Sequence, residues 1–379
     1  AQLQDVKQKF GIDDTYDDYR RMLVKADIDT VFVCTPPEHH FRIVMDALEW
    51  GKHVFCEKPI ATTLDEGLAI KKALDIQRKM APEPLCLMPA HNFIFTPCFT
   101  EALKMIESGE IGKIQKINGC SATNLRFYGA KTEFRTQAKC GVVEDLLPHL
   151  IYLVHEVGGP LEKVSCIEPH LKGGIVGNVT VNVTLTNDVE ANLKAQWTGL
   201  VPTLRLDLIG EQGEIRMDLL QTPYNITIVK DGATKTIHMG RRLHQYIDVF
   251  RNKHPSYTNE HIHFLNCVEN EAEPKVTVDH GVQLVRTLTE VTECFKGKAC
   301  ISTPQAETVV VLRAGDNVDA TVQRSIDMLG GLNDVKNNDL VVIKPNVCYP
   351  KNIENMIITD PRVLETVINM VKQRTKNVL

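Results

Sequence analysis

Over roughly the first 95 positions, short apolar runs alternate with longer amphipathic stretches. "AQLQDVKQKFGI" predicts a helix ended by Gly11, and "YDDYRRMLVKADI" a second helix with polar and apolar faces. "DTVFVCTPP" is a β-branched run stopped by two prolines, as expected of a strand buried on both faces of a parallel sheet. In "EHHFRIVMDALEWGK" Ile43, Val44, Ala47 and Leu48 share one helical face, and Gly51 sits at the C-terminal cap. "HVFCEKP" predicts the next strand, "TLDEGLAIKKALDIQRKM" a helix capped at Thr63, and "PLCLMPAHN" a further strand. Strands alternating with helices of this length require crossovers, hence a parallel α/β sheet.

After residue 95 the period changes. "TPCFTEALKMIESGEIGKI" predicts helix and turn. "GNVTVNVTLT", "VEANLKAQWTG", "TLRLDLIGEQGEIRMDLL" and "YNITIVKDG" then alternate apolar with polar residues, as an antiparallel sheet with one covered face would. Between these lies "GVVEDLLPHLIYLVHEVGG", an apolar helix with Asp145 and His149 four residues apart and so on one face. Strand, loop and helix return near the C-terminus in "ETVVVLRAGDNVDATVQRSIDMLGGL" and "DLVVIKPN". The expected fold class is therefore α/β. It comprises a parallel sheet with crossover helices in residues 1–95, an α+β domain with a large, mostly antiparallel sheet in 96–303, and an α/β segment in 304–379.

Composition narrows the function classes. With 379 residues, 43% hydrophobic and 24% charged, the chain can bury a sizeable core. A net charge of -5 without a basic run gives no footprint for nucleic acid or an anionic membrane. The longest apolar runs are too short to span a bilayer and no signal peptide is evident, so a cytoplasmic location is expected. Eleven cysteines without a Cys-x-x-Cys pair indicate neither a zinc ribbon nor a disulfide framework. "EHIHF" offers Glu260, His261 and His263 as metal ligands, but the two imidazoles would share a face only on a strand and the adjacent "FLNCVEN" is helical, so a helix start is the favoured reading and no metal site is assigned.

Candidate chemistry gathers at strand ends. In open parallel sheets ligands sit beyond the carboxyl ends of the strands, and the two most unusual loops, "CTPPEHH" and "CEKPI", lie there. Lys58 is thus positioned to touch a ligand, although an arbitrary Lys-Pro is commonly just a surface lysine before a turn. A histidine paired with a carboxylate, as at His149 and Asp145, is either a satisfied core pair or an oriented general base.

"DTVFVCTPPEHH", "ALEWGKHVFCEKPIA", "HNFIFTP", "IESGEIGKI" and "GVVEDLLPHLIYL", in that order over residues 1–300, together resemble the Gfo/Idh/MocA oxidoreductases, relatives of glucose-fructose oxidoreductase and inositol dehydrogenase. The resemblance implies an NAD or NADP cofactor and a hydride transfer to or from a sugar, nucleotide sugar or cyclic polyol. It also implies a homo-oligomer formed through the second-domain sheet. It maps cofactor contacts onto Thr35, Pro36, Pro37, His40, Glu57, Lys58, Pro59 and Asn92, with the Lys58–Pro59 bond often cis in the family. Lys58, Asp145 and His149 become the catalytic candidates. His149 would be the base, since an imidazole with an ordinary pKa of about 6.5 serves in both protonation states. Lys58 would steady the alkoxide, and Asp145 would orient His149 or bind an adjacent hydroxyl. Lys58, Asp145 and His149, with Arg126 and Tyr128 of "LRFYGAKTEFRTQAKC", are the substrate-binding candidates; Lys131 and Arg135 add cations to that loop.

The chain departs from the family in lacking a Gly-x-Gly-x-x-Gly turn. The sheet of residues 1–95 is thus read as a truncated Rossmann-type sheet and 304–379 as a partial domain; the chain also opens on Ala1 and stops at Leu379 after a helix without an evident stop, so both ends are read as truncated. The alternative function is a non-catalytic fragment or a binding and assembly subunit lacking the cofactor pyrophosphate loop. The C-terminal "SIDMLGGLNDVKNNDLVVIKPNVCYP" resembles the start of an uncharacterised domain family with a Lys-Pro-Asn motif, often found beside iron–sulfur modules. Lys344 and Asn346 are its candidate ligand contacts, and a third reading places the chain's function in that segment.

Overall fold

The computed structural model describes residues 2–80, 84–124, 140–172, 175–186, 188–240, 245, 253–295, 322–323, 326 and 361–375. The chain divides into two compact units, residues 1–301 and 302–379.

The first unit opens with helices α1 (Gln2–Phe10) and α2 (Tyr19–Lys25), followed by strand β1 (Thr30–Val33), helix α3 (His40–Glu49), strand β2 (His53–Cys56), helix α4 (Leu64–Met80) and strand β3 (Leu87–Pro89). The strands form a parallel sheet in the order β1-β2-β3. Helix α3 ends as its sequence requires: Gly51 takes φ +64°, a left-handed conformation that costs a glycine nothing. Helix α4 begins with a reciprocal cap. Thr63 Oγ1 accepts from the Glu66 amide at 3.3 Å, while Glu66 Oε2 accepts from the amides of Thr62 (3.0 Å) and Thr63 (3.2 Å). This cap fixes the chain immediately after the Glu-Lys-Pro loop.

One expectation differs. Strand β1 is not covered on both faces: Phe32 is 41% exposed. It lies on an edge strand of the described sheet, with its ring tilted against Phe55 and edge-on to His261 and Phe264.

Helix α5 (Pro97–Glu107) leads into an eight-stranded sheet comprising β4 (Ile114–Asn124), β5 (Leu161–Lys172), β6 (Ile175–Leu185), β7 (Glu190–Gln196), β8 (Thr198–Gly210), β9 (Glu214–Asp218), β10 (Asn225–Lys230) and β11 (Ala233–His238). Its order is β11-β10-β9-β8-β4-β7-β6-β5, antiparallel throughout except for the parallel β4–β7 pair. Alternation puts Val179, Val181 and Val183 of β6 and Ala191, Leu193 and Ala195 of β7 on the buried face. That face packs on α7 (Leu147–Gly158), with Leu150, Ile151, Leu153 and Val154 in the same core.

Helices α8 (Pro255–Glu269) and α9 (Val278–Phe295) complete the unit. Helix α9 serves both cores: Val278, Val282 and Val285 join the core of the parallel sheet, and Leu284 and Val291 that of the larger one. Apolar area removed from water stabilises this joint by about 25 cal/mol per Å².

The helix expected over "GVVEDLLPHLIYLVHEVGG" is divided, with α6 (Val142–Asp145) preceding α7. Pro148 explains this, because its ring clashes with a carbonyl four residues back and offers no N–H. Within the second unit, α10 (Pro361–Lys372) is described, with Met370 and Val371 buried. Among the described residues no helix is long and apolar enough to cross a membrane.

Candidate active site

The ends of β1 and β2 open onto a cleft of about 1230 Å³ lying wholly within the first unit. That exceeds the several hundred cubic ångströms of a typical small-ligand pocket, and leaves room for a dinucleotide end together with a second small molecule. Thr35, Pro36 and Pro37 front it from β1, and Glu57, Lys58 and Pro59 from β2, while Asn92 follows β3. The two loops are held edge to edge. The Glu57 amide donates to the Val33 carbonyl at 2.9 Å, extending the ladder past the strands.

His40 is fully buried and is not among the residues lining the cleft. Its ring lies between the loops, with Nδ1 2.7 Å from the Pro59 carbonyl and Nε2 2.7 Å from the Thr35 carbonyl. It joins the two loops that front the cleft. The Lys58–Pro59 bond is cis.

The opposite wall carries Glu144, Asp145 and His149. The break before Pro148 has a direct consequence here. In an unbroken helix the His149 amide would donate to the Asp145 carbonyl; instead it donates to Leu146 at 3.2 Å. The Asp145 carbonyl accepts from Lys58 Nζ at 2.8 Å, joining residues 87 positions apart. Asp145 Oδ2 accepts from Trp197 Nε1 at 3.0 Å, and His149 Nδ1 lies 3.0 Å from the Tyr152 hydroxyl. The structure thus gathers Lys58, Asp145 and His149 on one cleft. Arg126, Tyr128, Lys131 and Arg135, and also Lys344 and Asn346, lie outside the described residues.

Electrostatically the described lining is acidic. Glu38, Glu57, Glu144, Asp145 and Glu293 face a single lysine, Lys58. Burial raises the Glu144 carboxyl above the usual carboxylate range, opposed by a hydrogen bond from the Cys140 backbone.

Three polar residues near the site were not anticipated. Tyr152 follows His149 by one helical step of three, a spacing that could have flagged it. Ser256 and Glu260, on α8, reach the site only through tertiary packing. Glu260 is 1% exposed, its Oε1 has no hydrogen-bond partner among the described residues, and its carboxyl is pushed up to about 9, first by burial and then by the charge on Glu57. The folded state therefore holds a proton on Glu260 that the unfolded chain releases above the ordinary glutamate pKa of about 4.3. Stability falls as pH rises from there to about 9 and then levels off. Glu260→Gln should remove this loss, stabilising the fold by on the order of 3 kcal/mol at pH 7 and negligibly below about pH 4. Urea unfolding of both proteins across that range checks the sign; a constant difference would refute it.

Two family models match the chain. One, described as the oxidoreductase family with an NAD-binding Rossmann fold, matches residues 1–81; the other, described as the GFO/IDH/MocA C-terminal domain, matches 99–216. Among curated proteins, levoglucosan dehydrogenase of Pseudarthrobacter phenanthrenivorans is 30% identical over 167 residues, covering 42% of this chain and 40% of that one. The match thus spans well under two thirds of that relative. The scyllo-inositol 2-dehydrogenase (NAD(+)) of Bacillus subtilis is 25% identical over 301 residues, covering 75% of this chain and 80% of that one. Among solved structures, an inositol dehydrogenase homolog from Azotobacter vinelandii complexed with NADH and myo-inositol superposes with a TM-score of 0.66 at 18% identity, over 78% of this chain and 85% of that one. A likeness at that identity speaks to the fold.

Proposed function

Because this chain belongs to the Gfo/Idh/MocA oxidoreductase family, we propose that it is an NAD(P)-dependent dehydrogenase acting on a carbinol of a neutral sugar or cyclic polyol. The observation that carries the proposal is the convergence of Lys58, Asp145 and His149 on one cleft at the carboxyl ends of a parallel sheet. Among the described residues, Glu144 and Asp145 beside His149 face Lys58 as the one cation, so that wall favours an uncharged polyhydroxylated substrate over one with a phosphate at the reacting end.

The cleft fits a nicotinamide cofactor in its volume and in its position beyond β1 and β2, where Thr35, Pro36, Pro37, Glu57, Pro59 and Asn92 would contact it, with His40 bracing the loops. When bound, NAD(P) supplies the hydride acceptor or donor. The chain's own residues do the rest. His149 takes the carbinol proton. Lys58, fixed by the Asp145 carbonyl, donates a hydrogen bond to the same oxygen as charge develops. Asp145, its carboxylate anchored by Trp197, has lone pairs for a neighbouring hydroxyl.

The same proposal divides the chain into a cofactor-binding part over residues 1–95, a substrate and assembly part over 96–303, and a separate segment of other function from residue 304. The outer face of the large sheet would form a homo-oligomer. Eight cysteines, Cys34 and Cys56 near the cleft among them, are free thiols, which suits a cytoplasmic enzyme.

Titration with NADH and NADPH, followed by nicotinamide fluorescence, tests the reading. Saturable binding of one of them is expected, followed by turnover of neutral polyols and not of sugar phosphates. A folded protein that binds neither would instead be a fragment or binding subunit.

A further inference from the structure

A continuous chain of hydrogen bonds, buried beyond its first link, runs from His149 through Tyr152 and Asn92 to Ser256 and His254, and proton bookkeeping along it has a single solution. At its far end His254 Nε2 lies 2.7 Å from the Leu219 carbonyl, which can only accept, so Nε2 carries the ring proton. Burial lowers the His254 pKa and keeps the ring neutral, leaving Nδ1 an acceptor. It accepts from the Ser256 amide at 3.3 Å and from the Ser256 hydroxyl at 2.7 Å. Having spent its one proton, Ser256 Oγ must accept from Asn92, whose Nδ2 lies 3.0 Å away. That fixes the Asn92 amide, so Oδ1 faces the Tyr152 hydroxyl at 3.2 Å and takes its proton. Tyr152 oxygen is then an acceptor only. It receives the Phe93 amide at 3.3 Å, and the remaining contact, His149 Nδ1 at 3.0 Å, must also be a donor.

We propose that Tyr152 is a positioning residue which, through Asn92, Ser256 and His254, holds His149 as its Nδ1–H tautomer and so leaves Nε2 with the lone pair that takes a proton. The inference rests on His149 being the base. It goes beyond that assignment by stating which nitrogen acts and what selects it. An isolated neutral imidazole favours the other tautomer, which would put a proton where the lone pair is needed. The relay is well placed to resist this. Tyr152 and Asn92 are almost fully buried, and the Tyr152 ring stacks on His91 with centroids 4.4 Å apart and planes within 7°. Burial also raises the Tyr152 pKa, keeping the phenol protonated as the relay requires.

The test is two-bond 1H–15N correlation of histidine-labelled protein, with the His149 signals assigned by their loss in His149→Gln, alongside steady-state kinetics. The wild type should show His149 protonated on Nδ1. Tyr152→Phe should shift it toward the Nε2–H form and lower kcat by roughly tenfold with KM nearly unchanged, about the effect of one hydrogen bond. Ser256→Ala, two links away, should shift the tautomer in the same direction by less. A wild-type His149 protonated on Nε2 would overturn the proposal without any variant, and so would a tautomer that Tyr152→Phe leaves unmoved. If the tautomer shifts and turnover does not, the relay stands and the assignment of His149 as the base falls.

Discussion

Replacing Lys58 by alanine should lower kcat by about 10²–10³-fold, the usual effect of deleting one preorganised donor to a developing oxyanion. Lys58 is the one cation among the described residues that line the cleft, and the remaining described charges there are carboxylates. Its loss would leave alkoxide charge forming against Glu57, Glu144 and Asp145 with no described counter-charge. The ammonium is also held in place, donating at 2.8 Å to a carbonyl that the broken helix leaves in reach. Little reorganisation is then needed at the moment of reaction. Lys58→Arg should not restore the rate, because a planar fork cannot occupy the position of a point donor. Steady-state kinetics on a polyol substrate, with NADH affinity measured in parallel, checks this. A Lys58→Ala enzyme within about threefold of the wild-type kcat would remove Lys58 from the catalytic machinery.

Much of the scaffold behind that lysine was legible because it is encoded locally. The short apolar runs followed by proline became β1 and β2, and the Thr63–Glu66 cap starts α4 where the pattern placed it. The alternating segments became β6 to β10 for the same reason. Strand β11 escaped notice because its residues are almost all exposed and show no alternation to read. The parallel pairing of β4 with β7 joins segments some 70 residues apart, and no local signal specifies it.

The site was legible to the extent that strand ends and a helical i,i+4 spacing place side chains. The role of Pro148 was not, because strong apolar periodicity across "GVVEDLLPHLIYLVHEVGG" outweighed one helix breaker. Yet that break is what brings the Asp145 carbonyl to Lys58. Ser256 and His254 could not be found at all, since their partners Asn92 and Leu219 lie 164 and 35 positions away. Buried hydrogen-bonded relays are assembled by tertiary structure and leave no spacing in the chain.

His149→Gln should cost the most, about 10²–10⁴ in kcat, the range for removal of a positioned general base. The pH dependence makes the expectation specific. In the direction of alcohol oxidation the base must be unprotonated, so wild-type kcat/KM should rise with pH along a limb of unit slope. Two kinds of group at this cleft could produce that limb, an imidazole or a carboxyl lifted by burial. Glu144 is the competitor, since its carboxyl is raised by desolvation and it lines the same wall. The two variants separate them. If His149 is the base, Glu144→Gln keeps the limb and most of the rate, whereas His149→Gln flattens the profile and leaves a slow residual rate from alignment and Lys58 alone. If Glu144→Gln removes the limb, the base is the carboxyl. The relay through Tyr152 would then set the tautomer of a histidine that only shapes the pocket.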